Sequence, residues 1–250
     1  MIPAKKFPLG AALVWWLIRT SLRKHFDNVY LRMRTERSVE QQALPMIICA
    51  NHSTWWDGYV AALIQHQLRL DGYLMMEEAQ LRRYFFFAWL GCFSVNRQNA
   101  RSAIQSLQYA ARLLKERPGR MVWIFPQGEI APNDRRPLVF FSGVAHLARM
   151  VRSALIYPAA IRIEYRAEQR PDLFISLGEP WRVSEEDLQA PAFVKECTQR
   201  LEASVTAELE QLHDDVTAAN FDDFTRIMHG KSSTNRVFDA FLLRKPMQRQ

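Results

Sequence analysis

Cysteine is scarce in this sequence, and the few cysteines present do not suggest a disulfide framework. The chain of 250 residues contains three of them, Cys49, Cys92 and Cys197, which lie far apart and are odd in number. No two of them have the CxxC spacing of a redox pair or of a zinc site. We therefore expect a protein of the reducing cytosol, with neither structural disulfides nor a bound metal.

The N-terminal apolar segment lacks the length needed to cross a membrane. Residues 7–18, FPLGAALVWWLI, carry no charge, but as a helix they would extend only about 18 Å against about 30 Å of hydrocarbon. No small-residue cleavage site follows Ile18, so we expect this segment to be retained rather than removed as a signal peptide. Trp15 and Trp16, flanked by cations, favour a helix lying in the membrane interface, with a buried core helix as the alternative.

Acidic residues are outnumbered by basic ones, 26 against 33, which gives a formal net charge of +7 and a pI near 9.5. This excess indicates an anionic partner, such as nucleic acid, anionic lipid or an acidic substrate. No helix-turn-helix, zinc or RNP-like pattern supports nucleic acid. The cations crowd the N-terminal region around the two tryptophans, which favours a lipid surface.

Internal repeats and low-complexity segments are absent, and the composition is that of one globular domain. Short apolar runs typical of buried strands, at residues 46–50, 72–76, 121–126 and 154–165, alternate with helical patterns at 56–68, 99–117 and 142–152. This alternation predicts an α/β fold with a central, mostly parallel sheet flanked by helices. A helix at 194–212 is expected to pack across the sheet, and residues 29–37 to form an edge strand with one wet face.

These elements suggest three parts of the chain. We expect an interfacial membrane helix within residues 1–28, the main domain at 29–230 and a basic C-terminal tail at 231–250.

Two polar residues, His52 and Asp57, follow the apolar run at 46–50. Loops after buried strands often carry functional residues, and a bend into the next helix would bring this carboxylate back to the imidazole. A carboxylate on one ring nitrogen fixes the tautomer and leaves the other nitrogen to accept a proton, as needed when an alcohol attacks a thioester. A surface ion pair is the alternative interpretation. Asn51 or backbone amides could stabilise the oxyanion.

A second cluster of candidate residues follows the apolar run at 121–126. Its members are Phe125, Pro126, Gln127, Gly128 and Glu129. Gly128 allows a positive φ or a close approach of the backbone, and the polar side chains suit a hydroxylated substrate. Arg135 and Arg136, in the same loop, are candidates for binding a phosphate or another anionic headgroup. A solvated turn is the alternative.

A thiol nucleophile is a further alternative, because Cys49 and Cys92 adjoin these clusters. Both lie in apolar runs, where a thiol is usually protonated and inert.

Four segments in order resemble the four sequence blocks of the glycerolipid acyltransferase family, best known from lysophosphatidic acid acyltransferases. They are NHSTWWD at 51–57, GCFSVNR at 91–97, FPQGE at 125–129 and IYPAA at 156–160. The resemblance implies that His52 is the general base and Asp57 its partner. It also implies that Arg97 and the third block bind the acceptor and that Pro158 shapes the pocket.

The resemblance further implies the reaction and its setting. A fatty acyl group would pass from acyl-CoA or acyl carrier protein to a lipid hydroxyl, without a cofactor, at the cytoplasmic face of a membrane to which the protein is peripheral or monotopic. The expected acceptor is a lysophospholipid such as 1-acylglycerol-3-phosphate.

The third block departs from the family's usual Phe-Pro-Glu-Gly-Thr-Arg. Gln127 replaces the glutamate, Glu129 the threonine and Ile130 the arginine, so one carboxylate becomes an amide and a cation is lost. Two alternatives therefore stand beside the expected acceptor. One is a non-phosphate lipid hydroxyl, as in a glycolipid or polyprenoid glycoside, and the other is a lipid-binding protein without turnover.

Overall fold

The computed structural model describes residues 1–36, 38–166, 168–232, 234–235 and 238. Its helices are α1 (Pro8–His25), α2 (Val39–Ala43), α3 (Asp57–Gln67), α4 (Glu78–Arg83), α5 (Ala100–Glu116), α6 (Gly143–Val151), α7 (Glu185–Gln189) and α8 (Phe193–Thr217), with a 3-10 helix at Phe85–Leu90. Its strands are β1 (Asn28–Met33), β2 (Met46–Ala50), β3 (Gly72–Glu77), β4 (Cys92–Val95), β5 (Met121–Ile124), β6 (Ala154–Glu164), β7 (Asp172–Leu177), β8 (Trp181–Val183) and β9 (Thr225–His229). Most of the expected tail at 231–250 lies outside the described residues.

All described strands belong to one sheet, in the order β4-β3-β5-β2-β6-β7-β1-β9, with β8 beside β6. The first five strands in this order, β4, β3, β5, β2 and β6, run parallel to one another, and β1 runs parallel to β7. The pairs β6–β7, β1–β9 and β6–β8 are antiparallel. The predicted α/β fold with a central, mostly parallel sheet is therefore confirmed.

Helices cover both faces of the sheet, which explains why β2 and β5 are apolar at every position. Ile48 and Trp123 point into a core formed with α1 and α3. Ile47 and Val122 point the other way, into a core formed with α5, α6 and α8. As expected, α8 packs against the sheet, and because β2 and β5 are adjacent and parallel, their carboxyl ends lie side by side.

Helix α1 has one buried face and one exposed apolar face. Val14, Ile18 and Leu22, spaced four residues apart, are 2% exposed or less and belong to the core. On the other side Leu13 and Trp16 remain more than half exposed. No helix among the described residues is both long and apolar enough to cross a membrane.

The expectation of an edge strand with one wet face at 29–37 is wrong. Strand β1 lies between β7 and β9, and its side chains are buried at four of its six positions. Arg32, which suggested a wet face, is buried and forms an ion pair with Asp215 of α8. The cation is thus neutralised inside the protein rather than by water.

Candidate active site

His52 and Asp57 are brought together by the tight turn between β2 and α3. Nδ1 of His52 lies 2.8 Å from Oδ2 of Asp57. The same oxygen accepts backbone N–H groups of Ser53 and Thr54 at 2.7 and 2.9 Å, and Oδ1 accepts the Thr54 hydroxyl at 2.9 Å. Asp57 is fully buried, so these four donors replace the water that a carboxylate would otherwise require. Asp57 holds the imidazole through Nδ1, which leaves Nε2 as the ring nitrogen that can accept a proton.

The loop after β5 holds His52 from the other side. The imidazole stacks on the ring of Phe125, with centroids 4.4 Å apart and planes at 19°. The backbone N–H of His52 donates to Oε1 of Gln127 at 2.7 Å, and its carbonyl accepts the N–H of Ala131 at 2.9 Å. Both motifs singled out in the sequence therefore meet at the carboxyl edge of the sheet, where ligand sites of parallel sheets commonly lie.

His52 opens onto a largely apolar pocket of about 470 Å³. The pocket runs from Phe125 beside His52 down to Met121 at the start of β5, which is about 13 Å of extended strand. Ala62 and Gln65 of α3 and Ile18 of α1 line its deeper part. Its size and lining are those of a site for an apolar ligand.

Arg97 and Gly128 are packed together in the pocket wall. Gly128 has a φ of +71°, and a Cβ at this position would lie 2.5 Å from Nη1 of Arg97. The glycine is therefore needed both for its backbone conformation and for the space that Arg97 occupies. Nε of Arg97 lies 3.3 Å from Oε2 of Glu77, and its guanidinium lies 5.7 Å from the ring centroid of Phe141.

Two of the polar residues expected to contact substrate are engaged elsewhere. Asn51 is 2% exposed, and its amide bonds Asn133 Oδ1 at 2.8 Å and both backbone groups of Ile161 at 2.8 and 2.9 Å. The side chain of Gln127 accepts the His52 N–H and is not part of the pocket wall. These contacts favour positioning roles for both residues rather than contact with substrate.

The charged residues of the loop after β5 also lie outside the pocket wall. Arg135 pairs with Glu129 at 3.4 Å, and both side chains are more than 60% exposed. Arg136 pairs with Glu210 of α8 at 3.5 Å and donates to the carbonyl of Asn133.

Pro158 is buried in β6 and does not line the pocket. Along β6, residues 154–156 pair with β8 and residues 159–164 pair with β7, so Pro158 lies between the two antiparallel pairings. The missing N–H of a proline is tolerated at such a point. Pro158 can therefore affect the site only through the path of β6, not through contact with a ligand in the pocket.

The buried thiols near the site are not activated. Burial raises the pKa of Cys92, which lines the pocket, to about 12. Burial also raises the pKa of Cys49 well above its usual value. Both thiols are therefore protonated near neutral pH, and a thiolate nucleophile has no support here.

Comparison with known families agrees with this geometry. A family model described as Acyltransferase matches residues 31–162, more than half of the chain. The chain belongs to the glycerolipid acyltransferase family. The matched region contains His52, Asp57, Arg97 and the loop after β5, whereas α1 and α8 lie outside it. A search of curated proteins found no match.

The candidate active site also contains residues that the sequence alone did not single out. Thr54 holds Asp57 through both its hydroxyl and its N–H. Glu77, the last residue of β3, lines the pocket and pairs with Arg97. Its position directly after the apolar run at 72–76 was a signal that could have identified it.

Proposed function

We propose that this acyltransferase moves a fatty acyl group from the thioester of acyl-CoA or acyl carrier protein to a hydroxyl of a lipid acceptor. The observation that carries the proposal is the Asp57–His52 pair at the mouth of an apolar pocket. The acceptor favoured by the sequence is a lysophospholipid such as 1-acylglycerol-3-phosphate, with a non-phosphate lipid hydroxyl as the alternative.

The chemistry requires one proton acceptor and two positioned substrates. Nε2 of His52 takes the proton of the acceptor hydroxyl as its oxygen attacks the thioester carbonyl, and Asp57 stabilises the imidazolium that forms. When the tetrahedral intermediate collapses, the C–S bond breaks and the proton passes from Nε2 to the leaving thiolate. The products are the acylated lipid and free thiol, and no nucleophile of the protein takes part.

This reaction is tested by incubating the protein with acyl-CoA or acyl carrier protein donors and lipid acceptors in detergent. We expect thiol release that depends on the acceptor, with the acylated lipid identified by mass spectrometry. Binding to lipid vesicles without turnover of any donor and acceptor pair would instead favour a lipid-binding protein.

The pocket below His52 is proposed to hold the acyl chain, and Ala62 offers a test. Replacing Ala62 by phenylalanine should shift donor preference towards shorter acyl chains, because the larger ring would fill the deeper part of the pocket. The measurement is kcat/KM for a series of saturated acyl-CoA donors of increasing length. Ala203→Phe, on an exposed position of α8, is the matched control. An unchanged length profile in Ala62→Phe would place the acyl chain elsewhere.

The exposed face of α1 is proposed to lie in the interface of the cytoplasmic membrane leaflet. Leu9, Leu13 and Trp16 are 78%, 54% and 59% exposed on this face. The exposed cations Arg19 and Lys24 follow on the same helix and suit anionic headgroups. An amphipathic helix with tryptophan and flanking cations is typical of interfacial binding.

The double variant Leu13→Glu, Trp16→Glu should weaken binding to anionic lipid vesicles by at least tenfold. Burying each large apolar side chain contributes about 1.5–3 kcal/mol, and the added charges oppose anionic lipid. Vesicle flotation measures the bound fraction, and Val39→Glu, 84% exposed on α2, is the control. Equal binding of the double variant and the control would show that α1 does not contact the membrane.

A further inference from the structure

The part of the pocket wall around Arg97 is almost electrically neutral. Among the described residues that line the pocket, Glu77 carries the one carboxylate and Arg97 the one guanidinium. They form an ion pair at 3.3 Å, and their side chains are 38% and 40% exposed. Each therefore keeps surface that a bound ligand can reach.

This pair lies along the same edge of the sheet as the general base. Glu77 ends β3, Arg97 follows β4 and Gly128 follows β5, which is adjacent to the strand that leads to His52. The side chain of Arg97 touches Gly128, and the ring of Phe125 in the same loop stacks on His52. A headgroup bound by Glu77 and Arg97 would thus lie on the same side of the pocket as His52.

Among the described residues, no second lysine or arginine lines the pocket, whose wall also contains the imidazole of His146 on α6. Arg135 and Arg136 are paired with Glu129 and Glu210 and lie outside the pocket wall. The neighbouring wall position is Ile130, which is apolar and 51% exposed.

These charges are poorly suited to a phosphate monoester. Such a group carries a charge of about −1.5 to −2 near neutral pH. Here it would meet one guanidinium that is already neutralised, together with the carboxylate of Glu77, which repels it. Adjacent hydroxyl groups fit better, because a carboxylate accepts O–H donors while a guanidinium donates to hydroxyl oxygens. Gln80 and Ser142 add further polar groups to the wall.

We infer that the acceptor is a lipid with an uncharged, hydroxyl-rich headgroup, the chemistry of a sugar-bearing lipid, held by Glu77 and Arg97. The inference rests on the proposed acyl transfer at His52. It selects the non-phosphate alternative over 1-acylglycerol-3-phosphate.

The test compares two acceptors with one acyl-CoA donor in the same detergent micelles. The acceptors are monoglucosyl dioleoylglycerol and 1-oleoylglycerol-3-phosphate. For the wild-type protein we expect kcat/KM to be at least tenfold higher with the sugar lipid. A tenfold preference for the phosphate lipid, or equal use of both, would overturn the inference while leaving acyl transfer intact.

Two variants test the charges themselves. Glu77→Gln removes the repelling carboxylate and leaves Arg97 unpaired, so the ratio of sugar to phosphate use should fall at least tenfold. Ile130→Arg adds a cation to the wall and should raise use of the phosphate lipid. Glu185→Gln is the control for the first change, because it belongs to an exposed Arg–Glu pair with Arg152 that does not line the pocket. Val39→Arg is the control for the second. If Glu77→Gln behaved like Glu185→Gln, the pair would not select the headgroup.

Binding distinguishes failure of the inference from failure of the proposed function. Trp55 lines the pocket, so binding of an acceptor to the His52→Ala variant can be followed by tryptophan fluorescence. The double variant His52→Ala, Trp55→Phe is the reference that shows which part of the fluorescence change comes from Trp55. If neither acceptor is acylated by the wild-type protein, a response of Trp55 to the sugar lipid alone still supports the headgroup assignment. A response to the phosphate lipid alone, or to neither lipid, overturns it.

Discussion

Replacing His52 by alanine is expected to lower kcat for acyl transfer by about 10²- to 10⁴-fold, the range typical of general base catalysis. The hydroxyl of the acceptor is a poor nucleophile while it keeps its proton, and Nε2 of His52 is the proton acceptor of the proposed mechanism. The pocket remains in the variant, so KM for the donor should change far less than kcat. Steady-state rates of thiol release across donor concentrations measure both quantities.

A matched control for His52→Ala is His213→Ala, which removes an exposed imidazole from α8. The control should keep wild-type kcat. His52→Ala also removes one of the four hydrogen bonds to the buried Asp57 carboxylate, so its thermal unfolding temperature should fall, and kcat is compared at a temperature at which both proteins are folded. Turnover of His52→Ala within a few-fold of wild type would show that His52 is not the base.

The part of the fold that the sequence predicted best is the parallel region around β2 and β5. Both strands are short apolar runs, since helices bury them from both sides. The ends of neighbouring parallel strands share one edge of the sheet, so the motifs after these strands, 73 residues apart from His52 to Phe125, meet in the folded protein. Local pattern and general topology were sufficient here.

Strand β1 shows where local pattern fails. Arg32 and its neighbours alternate with apolar residues, a pattern typical of a strand with one wet face. The cation is instead buried against Asp215, which lies 183 positions further along the chain. An ion pair of such separation leaves no local signal, and neither does the antiparallel addition of β9 beyond β1.

The site shows a related limit, because sequence gives residue types but not the direction of side chains. Asn51 and Gln127 lie in the motifs and carry amides that suit a substrate, yet their hydrogen bonds hold the backbone of β6 and of His52. Glu77 ends β3, an otherwise apolar strand. Its pairing with Arg97 follows from the adjacency of β3 and β4, which the sequence pattern did not establish.

Replacing Asp57 by asparagine is expected to lower kcat by about 10⁴-fold, the effect known for the loss of the carboxylate that orients a catalytic histidine. An amide can accept fewer hydrogen bonds than the carboxylate, which now accepts from His52, from the backbone N–H groups of Ser53 and Thr54, and from the Thr54 hydroxyl. The imidazole then loses the partner that fixes its tautomer. Steady-state kcat measures the effect, and circular dichroism checks the fold.

Asp57→Ala separates the chemical role of this carboxylate from its structural role. Alanine leaves the donors of Ser53 and Thr54 without an acceptor, and each hydrogen bond to a charged group contributes about 1.5–3 kcal/mol, so the free energy of unfolding should fall as well as kcat. Asp172→Asn is the matched control, since Asp172 is 4% exposed and bonds Asn28 and Arg166 away from the pocket. It should lower stability in denaturant without lowering kcat of the folded protein. If Asp57→Asn kept wild-type kcat, the carboxylate would only hold the turn, and His52 would act without it.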